Sequence, residues 1–491
     1  MSPDALSLSE PEGTIANVSD GENLPAGWMR APLGSLGAWV GGGTPSKSVP
    51  AYWANGSIPW VSPKDMKSPI IRGTEDRITE AAVARSAAKF IPPGSVLMVM
   101  RSGILRHTFP VAVNADRVTV NQDLRALLPA GGINPVYVAH YLRSAQLRVL
   151  QDCSKDGTTV QSVEVAALER FQVPIAPSAE QRRIVARIDE LFAEIAEGEA
   201  ALERARQGLD TWRRALLKAA VTGELTREWR EANRPTETAA DLLARIRAER
   251  LASATGQARA RRASAVEPFD AAILRELPEG WLWVSVQELF SWSSGDFLPS
   301  KSMRHGAIPV FGGNGIAGYH DGWLVKEPTI VIGRVGFYCG CVHLTEEPAW
   351  ITDNAIYAKN MPSGCEPTFL KLVLESADIP RLARGGAQPF VNQKLLNSIY
   401  VPFCSSIEQK EISIRYHHMV QLWIEIEKQM EAERVDCTKL RQSILKAAFE
   451  GRLVPQDPRD EPAAALLARF GNGGPSAPVP RRKARRRADF S

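Results

Sequence analysis

Four features of this 491-residue sequence carry residue types that could do chemistry. Asn-Pro-Val-Tyr at Asn134 is one residue from the Asn-Pro-Pro-Tyr loop with which adenine methyltransferases hold a target amine. Its second proline is missing, and the counterpart Glu-Pro-Thr-Phe at Glu366 indicates that both are helix starts with proline in the first turn. Phe-Gly-Gly-Asn-Gly at Phe311 matches a methyltransferase cofactor loop letter for letter, but neither a helix nor an acidic strand end follows it. Asp65-Met66-Lys67 offers the Asp-x-Lys of a nuclease without an upstream acidic partner. Cys339 and Cys341, one residue apart in an expected strand, would point the same way, yet no His or Cys cluster accompanies them. No phosphate-binding GxxxxGK[ST] motif occurs. No catalytic or metal site is expected.

The polar residues of the glycine-marked loops are candidates for DNA contact only through the family resemblance that the motifs quoted below carry. Arg, Lys, Asn and Gln reach base edges in DNA grooves, while phosphates take Lys, Ser and backbone N–H. In the first half, such residues in glycine-marked loops are Thr44, Ser46, Lys47, Lys64, Arg101, Ser102, Asn121 and Gln122, with Lys155, Thr158 and Gln161 further on. In the second half they are Lys301, Arg304, Asn314, Arg334, Asn354, Gln388, Asn392 and Lys394. Many of these types also serve as turn and cap residues.

The elements that must position these side chains are written twice. The segment beginning Val173-Pro174-Ile175 returns at Val401-Pro402-Phe403, and Leu216-Leu217-Lys218-Ala219-Ala220 returns at Ile444, both 228 residues on (401 minus 173, 444 minus 216). A third pair, LPAGW at Leu24 and LPEGW at Leu277, is offset by 253, so the first variable block is 25 residues longer (253 minus 228). This period is too long for a solenoid and indicates a duplicated domain pair.

The fixed part of each unit is a long helix. An apolar seam stepping four then three runs from Ile188 through Leu191, Ile195, Gly198, Leu202, Ala205, Leu209, Trp212 and Leu216 to Ala219, and 228 residues later from Tyr416 to Ala447. Ser178 and Ser406 look like caps, Glu180 and Glu408 fall in the first turns, and Gly223 and Gly451 mark the ends. About forty residues give a rod of roughly 60 Å. The variable blocks mix strand and helix: strands at Ser95 and Phe109 and a helix from Asn134 in the first, a hairpin from Thr329 and a helix from Glu366 in the second.

Hydrophobic content of 44%, charged content of 23% and a net charge of +4 are ordinary for a globular chain. No apolar run is long enough to span a membrane, and the acidic, polar start is no secretory signal. Six scattered cysteines without a CxxC pair suggest reduced thiols. Two basic stretches stand out, one ending in ARARRAS before the second unit and the tail Arg481–Arg487. Either would add sequence-independent attraction to phosphate.

Several of these motifs resemble a known family. GGTPSKSVPAYWANGSIPWVSPKDM from Gly42 is similar to the opening of a target-recognition domain in specificity subunits of type I restriction–modification systems. AIPVFGGNGIAGYHDGW from Ala307, followed by TIVIGRVGFYCG, resembles another variant of that domain. The paired helix starts and ends, and the repeated ETAADLLARI at Glu237 and EPAAALLARF at Glu461, are similar to the family's fixed regions. The long leader and the basic tail depart from the pattern.

The resemblance implies an α+β chain, with two α/β target-recognition domains separated by two long antiparallel coiled-coil helices in a pseudo-twofold internal repeat. The expected layout is a leader at 1–23, reader one at 24–177, helix one at 178–222, a linker at 223–276, reader two at 277–405 and helix two at 406–450. A short helix at 451–470 and a tail at 471–491 complete it. It further implies a non-catalytic cytoplasmic subunit that reads a bipartite asymmetric DNA target. Its partners would be double-stranded DNA, two modification (methyltransferase) subunits and restriction (motor-nuclease) subunits. No cofactor is expected on this chain; S-adenosylmethionine, ATP and Mg would belong to the partners. Two rivals stand beside this reading: a stand-alone DNA-binding or coiled-coil scaffold, and a reader fused to its own methyltransferase activity.

Overall fold

The structure, a computed structural model, describes residues 24–155, 161–233, 236–252, 275–303, 306–346, 348–383 and 389–471. The leader, the ARARRAS segment and the basic tail lie outside these residues. The chain divides into two compact units. One joins residues up to Ala201 with Ala432 onward, and the other is Leu202–Glu431. Each therefore holds one variable block, the start of one long helix and the end of the other.

In the first-reader unit, a five-stranded sheet has the spatial order Gly37–Gly41, Leu124–Pro129, Val96–Val99, Val111–Asn114, Ile70–Ile71. A four-stranded sheet orders Arg77–Ile78, Ile58–Val61, Val118–Val120, Phe90–Ile91. Val96–Val99 and Val111–Asn114 are buried along their whole length, which suits their valine-rich character, and the one polar residue, Asn114, donates to the Pro92 and Asp116 carbonyls, both at 2.8 Å. The second-reader unit repeats the plan with fewer strands in each sheet. Its sheets order Trp292–Ser294, Ala355–Ala358, Ile330–Gly333, Val342–Leu344 and Gly315–His320, Ile308–Gly312, Trp350–Ile351.

The long helices run from Ser178 to Thr222 and from Ser406 to Phe449. Both are rich in Ala, Leu, Glu, Arg and Ile, and each gives way to a glycine in the left-handed region: Gly223 at φ +74 and Gly451 at φ +69. In the first-reader unit Arg183 pairs with Asp460 at 2.7 Å and Glu199 with Arg441, so rising numbers on one side meet falling numbers on the other. In the second-reader unit Arg213 lies over the Trp423 ring at 5.2 Å, and Arg415 donates to the Leu225 carbonyl at 3.1 Å. The segments are antiparallel in both. Ile188, Ile195, Leu216, Trp423 and Ile444 of the expected seam are buried, while Gly198, Ala205 and Glu433 are exposed. Ile188, Ile195 and Ile444 also join the first reader's core.

The repeated motifs meet at the start of each long helix. The Trp28 indole donates to Glu180 Oε2 at 3.0 Å, and the Trp281 indole donates to Glu408 Oε2 at 3.0 Å. The next residue reaches the reader's main helix. The Asn134 amide donates to Gln181 Oε1 at 2.8 Å and the Glu366 amide to Gln409 Oε1 at 3.0 Å. Each glutamine also donates back to a carbonyl before the helix, Ala176 or Cys404, at 2.9 Å. Strand Met29–Pro32 pairs antiparallel with Gln172–Ile175, and Leu282–Ser285 pairs in the same way with Tyr400–Phe403. One Glu-Gln dipeptide per unit thus clamps a tryptophan and a helix N-terminus to the rod.

Aromatic packing closes the joint. Tyr137 and Tyr141 meet Phe449 edge-on at 5.2 and 5.1 Å, and Trp281 meets Phe369 at 6.0 Å. The short helices Ala239–Ala252 and Ala463–Gly471 carry the repeated LLAR sequence. They bury Leu242 and Ile246 in the second-reader unit, and Ala463 and Leu466 in the first.

Three local expectations change, and one apparent motif finds its structural role. The helix from Asn134 is two helices, Pro135–Ser144 and Gln146–Cys153, broken at Ala145, where the Ser144 hydroxyl takes the Tyr141 carbonyl at 2.7 Å. Ser406 does not cap its helix; Ser405 accepts the Glu408 amide at 3.4 Å, and Ser178 is already helical. Cys339 lies in a loop rather than a strand, its thiol donating to the Arg334 carbonyl at 3.3 Å. The glycines at Phe311–Gly315 form the turn of the antiparallel hairpin Ile308–Gly312/Gly315–His320.

Candidate nucleic-acid interface

Some of the polar residues singled out by sequence lie together at the end of each reader's central strand, and others do not. In the first reader, the amides of Met100 and Arg101 donate to the Asp123 carbonyl at 2.8 and 3.3 Å. The Ser102 amide donates to the Gln161 carbonyl at 3.3 Å, and Arg101 forms a β-bridge with Ser162. The glycine loop before Thr44 is held by the Gly43 amide on the Val120 carbonyl at 2.9 Å, and the Thr44 hydroxyl donates to Gln122 Oε1. Thr44, Arg101, Ser102, Asn121, Gln122 and Gln161 therefore share one neighbourhood, with exposed Ser46 and Lys47 just beyond Thr44.

Their roles within it differ. Asn121 is buried and folds back on Asp123, donating to its carboxylate at 3.2 Å and accepting its amide at 3.0 Å, so it shapes the loop. Ser102 caps the short turn Gly103–Arg106, and Ser46 bonds Ser48. Arg101 is exposed with no ion pair among the described residues. Lys64 is tied up. Glu75 at 2.9 Å and Asp76 at 3.0 Å hold its ammonium, and these bonds raise its pKa above the ordinary lysine range. Lys155 pairs with Glu164 at 3.5 Å. Thr158 lies outside the described residues.

In the second reader the Arg334 amide donates to the Asn354 carbonyl at 2.9 Å, and the Val391 amide donates to the Arg334 carbonyl at 2.8 Å. Asn392 follows directly and caps the helix Gln393–Asn397 by accepting the Leu395 amide at 2.8 Å, with Lys394 exposed in its first turn. Asn314 is exposed in the hairpin turn beside Gly313, whose missing side chain would come within 3.4 Å of the Asn354 carbonyl. Lys301 is exposed on the short turn Ser300–Ser302, with no recorded bond to this rim among the described residues. Arg304 and Gln388 lie outside the described residues.

The apparent catalytic motifs resolve as structure. Asn134 caps its helix through the amides of Val136 and Tyr137, and Tyr137 is fully buried. Asp65 accepts from the Ser62 amide and hydroxyl, both at 2.8 Å. No cluster of three His, Cys, Asp or Glu placed to hold a metal occurs among the described residues. None of their helices is long and apolar enough to cross a membrane.

Sequence reading missed the apolar members of the rims. Ile104 stands three residues after Arg101 and Phe337 three after Arg334, both exposed. The recurring Arg-x-Gly-apolar spacing was the available signal. A cleft of about 1020 Å³ in the first-reader unit also borders Ile104, together with Phe109, His140, Arg143, Asp189 and Phe192.

Comparison with known proteins agrees with this architecture. The profile of the type I restriction modification DNA specificity domain matches residues 25–204 and 278–433, once per reader. The EcoR124I/EcoR124II specificity subunit of Escherichia coli is 42% identical over 157 residues, covering 32% of this chain and 39% of that one. The match thus spans well under half of that relative's length. The EcoprrI specificity subunit of Escherichia coli is 23% identical over 402 residues, 78% of this chain and 84% of that one. Among solved structures, the HsdS subunit from Thermoanaerobacter tengcongensis has a TM-score of 0.53 at 17% identity, covering 89% of this chain and all of that one. A chain from a structural study of complex assembly and conformational transition in the type I R-M system has a TM-score of 0.65 at 17% identity, covering 88% and 99%. The likeness to the solved chains is one of fold, and the profile matched in both halves decides the family: the chain belongs to the type I restriction–modification DNA specificity family.

Proposed function

We propose that this chain is the DNA-reading, non-catalytic subunit of a type I restriction–modification complex, and that it recognises an asymmetric target in two separated halves. The observation that carries this reading is the duplicated Glu-Gln clamp. Each clamp fixes a differently built reader to the start of a long helix, so the helices serve as a ruler between half-sites. Arg101 and Arg334, each on a rim at the end of a central strand, are the side chains best placed to read base edges, with Thr44, Gln122, Asn314 and Asn354 around them.

The helices also serve as the dock. Ile407, Ile414 and Leu422 are exposed and recur every seven or eight residues along the second helix, an apolar stripe suited to a helical partner. Two modification subunits carrying S-adenosylmethionine would bind there and methylate adenine. Motor-nuclease subunits, with ATP and Mg, would join them in the cytoplasm. The test is purification with the neighbouring gene products, followed by methylome sequencing. Co-purification with a methyltransferase and a bipartite methylated motif support the reading, whereas methylation by this chain alone would overturn it.

A further inference from the structure

We propose that Phe337 is an apolar wedge that enters a base step of the second half-site, acting beside Arg334 on one preformed finger. The inference rests on the reading that the two rims face DNA, and it adds a residue and a deformation that reading does not contain.

The finger occupies the same place in both readers. Strand Ile330–Gly333 lies between Val342–Leu344 and Ala355–Ala358, as Val96–Val99 lies between Val111–Asn114 and Leu124–Pro129. Each central strand runs into Arg-x-Gly-apolar, Arg334-Val335-Gly336-Phe337 in one and Arg101-Ser102-Gly103-Ile104 in the other. The second finger is closed on itself. The Gly340 amide donates to the Gly333 carbonyl at 2.8 Å, the Gly333 amide to the Cys341 carbonyl at 2.9 Å, and the Cys339 amide to the Gly336 carbonyl at 3.1 Å. Gly336 at φ +85 and Gly340 at φ +88 supply left-handed turns that side-chain-bearing residues disfavour. Buried Cys339 pins the loop through its thiol on the Arg334 carbonyl.

Phe337 is nonetheless 94% exposed, and its recorded ring contact is with Tyr338, edge-on at 5.1 Å. A ring fixed in water on a hydrogen-bonded loop gains by burial against a partner. Exposed Val335 and Phe390 flank it through the Val335–Phe390 bridge. The charge beside it selects the occupant. Arg334 is exposed and forms no ion pair among the described residues, so ring and guanidinium emerge together, three residues apart. Apolar side chains that part base steps, set beside cations that hold phosphate, are how proteins kink duplex DNA. Ile104 is only 42% exposed and borders a cleft of its own unit, so the freely presented wedge belongs to the second half-site alone.

The test uses the full chain purified with its modification subunits. The probes are cognate duplexes carrying 2-aminopurine at each purine position in turn, with permanganate probing of the thymines. One step of the second half-site should brighten on binding and none of the first. Phe337→Ala should abolish that signal and weaken cognate binding about tenfold, the loss expected for one aromatic–base stack, and Phe337→Trp should restore both. Arg334→Ala should weaken binding while leaving methyltransferase co-purification intact. If Phe337→Ala keeps both signal and affinity while Arg334→Ala loses affinity, the rim faces DNA and the wedge is wrong. If neither change alters DNA binding, the rim reading fails with it. If Phe337→Ala instead lowers methyltransferase co-purification, a protein covers the ring and the proposal is overturned.

Discussion

Glu408 should be far costlier to remove than Glu180, although the two occupy the same repeat position and each holds its own reader's tryptophan. Glu408 accepts from the Trp281 indole at 3.0 Å, from the Thr226 hydroxyl at 2.8 Å and from Arg230, whose side chain is 18% exposed. Glu408→Ala strands the indole and the hydroxyl and removes the counter-charge of a largely buried cation, which keeps only the Gly223 carbonyl at 3.0 Å. Removing one partner of such a pair costs about 3–5 kcal/mol. Glu180 accepts only from Trp28, and its other oxygen is buried without a partner among the described residues. Burial pushes its carboxyl pKa up, with the Trp28 bond opposing. Glu180→Ala therefore orphans one indole N–H but removes an ill-satisfied group, for about 1 kcal/mol. At about 2–4 °C per kcal/mol for units of this size, Glu408→Ala should lower its unit's melting transition by about 6–20 °C and Glu180→Ala by about 2–4 °C. Calorimetry of the full chain, with unit-specific peptides followed by hydrogen exchange, reads both. Equal shifts, or a Glu408→Ala shift below about 2 °C, would refute the reasoning.

Other outcomes follow from the same geometry. Lys64→Ala should change DNA affinity less than Arg101→Ala or Arg334→Ala, each worth about 1–3 kcal/mol if the guanidinium reaches a base; binding titrations at fixed salt decide, and a larger loss for Lys64→Ala would show that Glu75 and Asp76 release it. Ile414→Glu with Leu422→Glu should abolish methyltransferase co-purification without changing the circular dichroism, and unaltered stoichiometry would move the dock elsewhere. Burial lowers the His140 pKa below its ordinary value, with Asp189 opposing at 3.7 Å and Arg143 adding to the fall. The unfolded chain then takes up that proton first, so stability should drop as pH falls below about 6.5, by at most about 1.4 kcal/mol per pH unit. Denaturant titrations between pH 7 and 5 should show His140→Phe flattening that slope, and an unchanged slope would assign it to other groups.

The repeat was legible because its register is a property of the sequence: a gap-free offset over Val173–Leu225 needs no structure to detect. What the Glu-Gln dipeptide does was not legible. Glu180 meets its tryptophan 152 residues away and Glu408 meets its own 127 away, and no periodicity reports such pairings. The rims were half legible. Glycine-marked loops located Arg101 and Arg334, but loop polarity could not tell exposed Gln122 from buried Asn121, or the exposed Arg101 from Lys64, which Glu75 and Asp76 hold. Phe337 escaped because an apolar residue beside a strand reads as core, and only the loop closure turns it outward. The seam overreached at Gly198, Ala205 and Glu433, which are exposed, since a heptad pattern does not report how closely the opposing surface approaches.

The central claim is that the long helices set the distance between two independently read half-sites. Four residues inserted after Ala205, with four more at the repeat-equivalent position after Glu433, add about 6 Å and close to one turn to each helix. They also displace the apolar seam by half a heptad, so a folded, complex-forming variant must be confirmed first. Methylome sequencing of cells carrying this variant and its partner subunits should show both half-sites unchanged and the unspecified gap longer by about one or two base pairs at 3.4 Å each. Methylation confined to the original spacing by a folded complex would contradict the ruler and leave the helices as a dock alone.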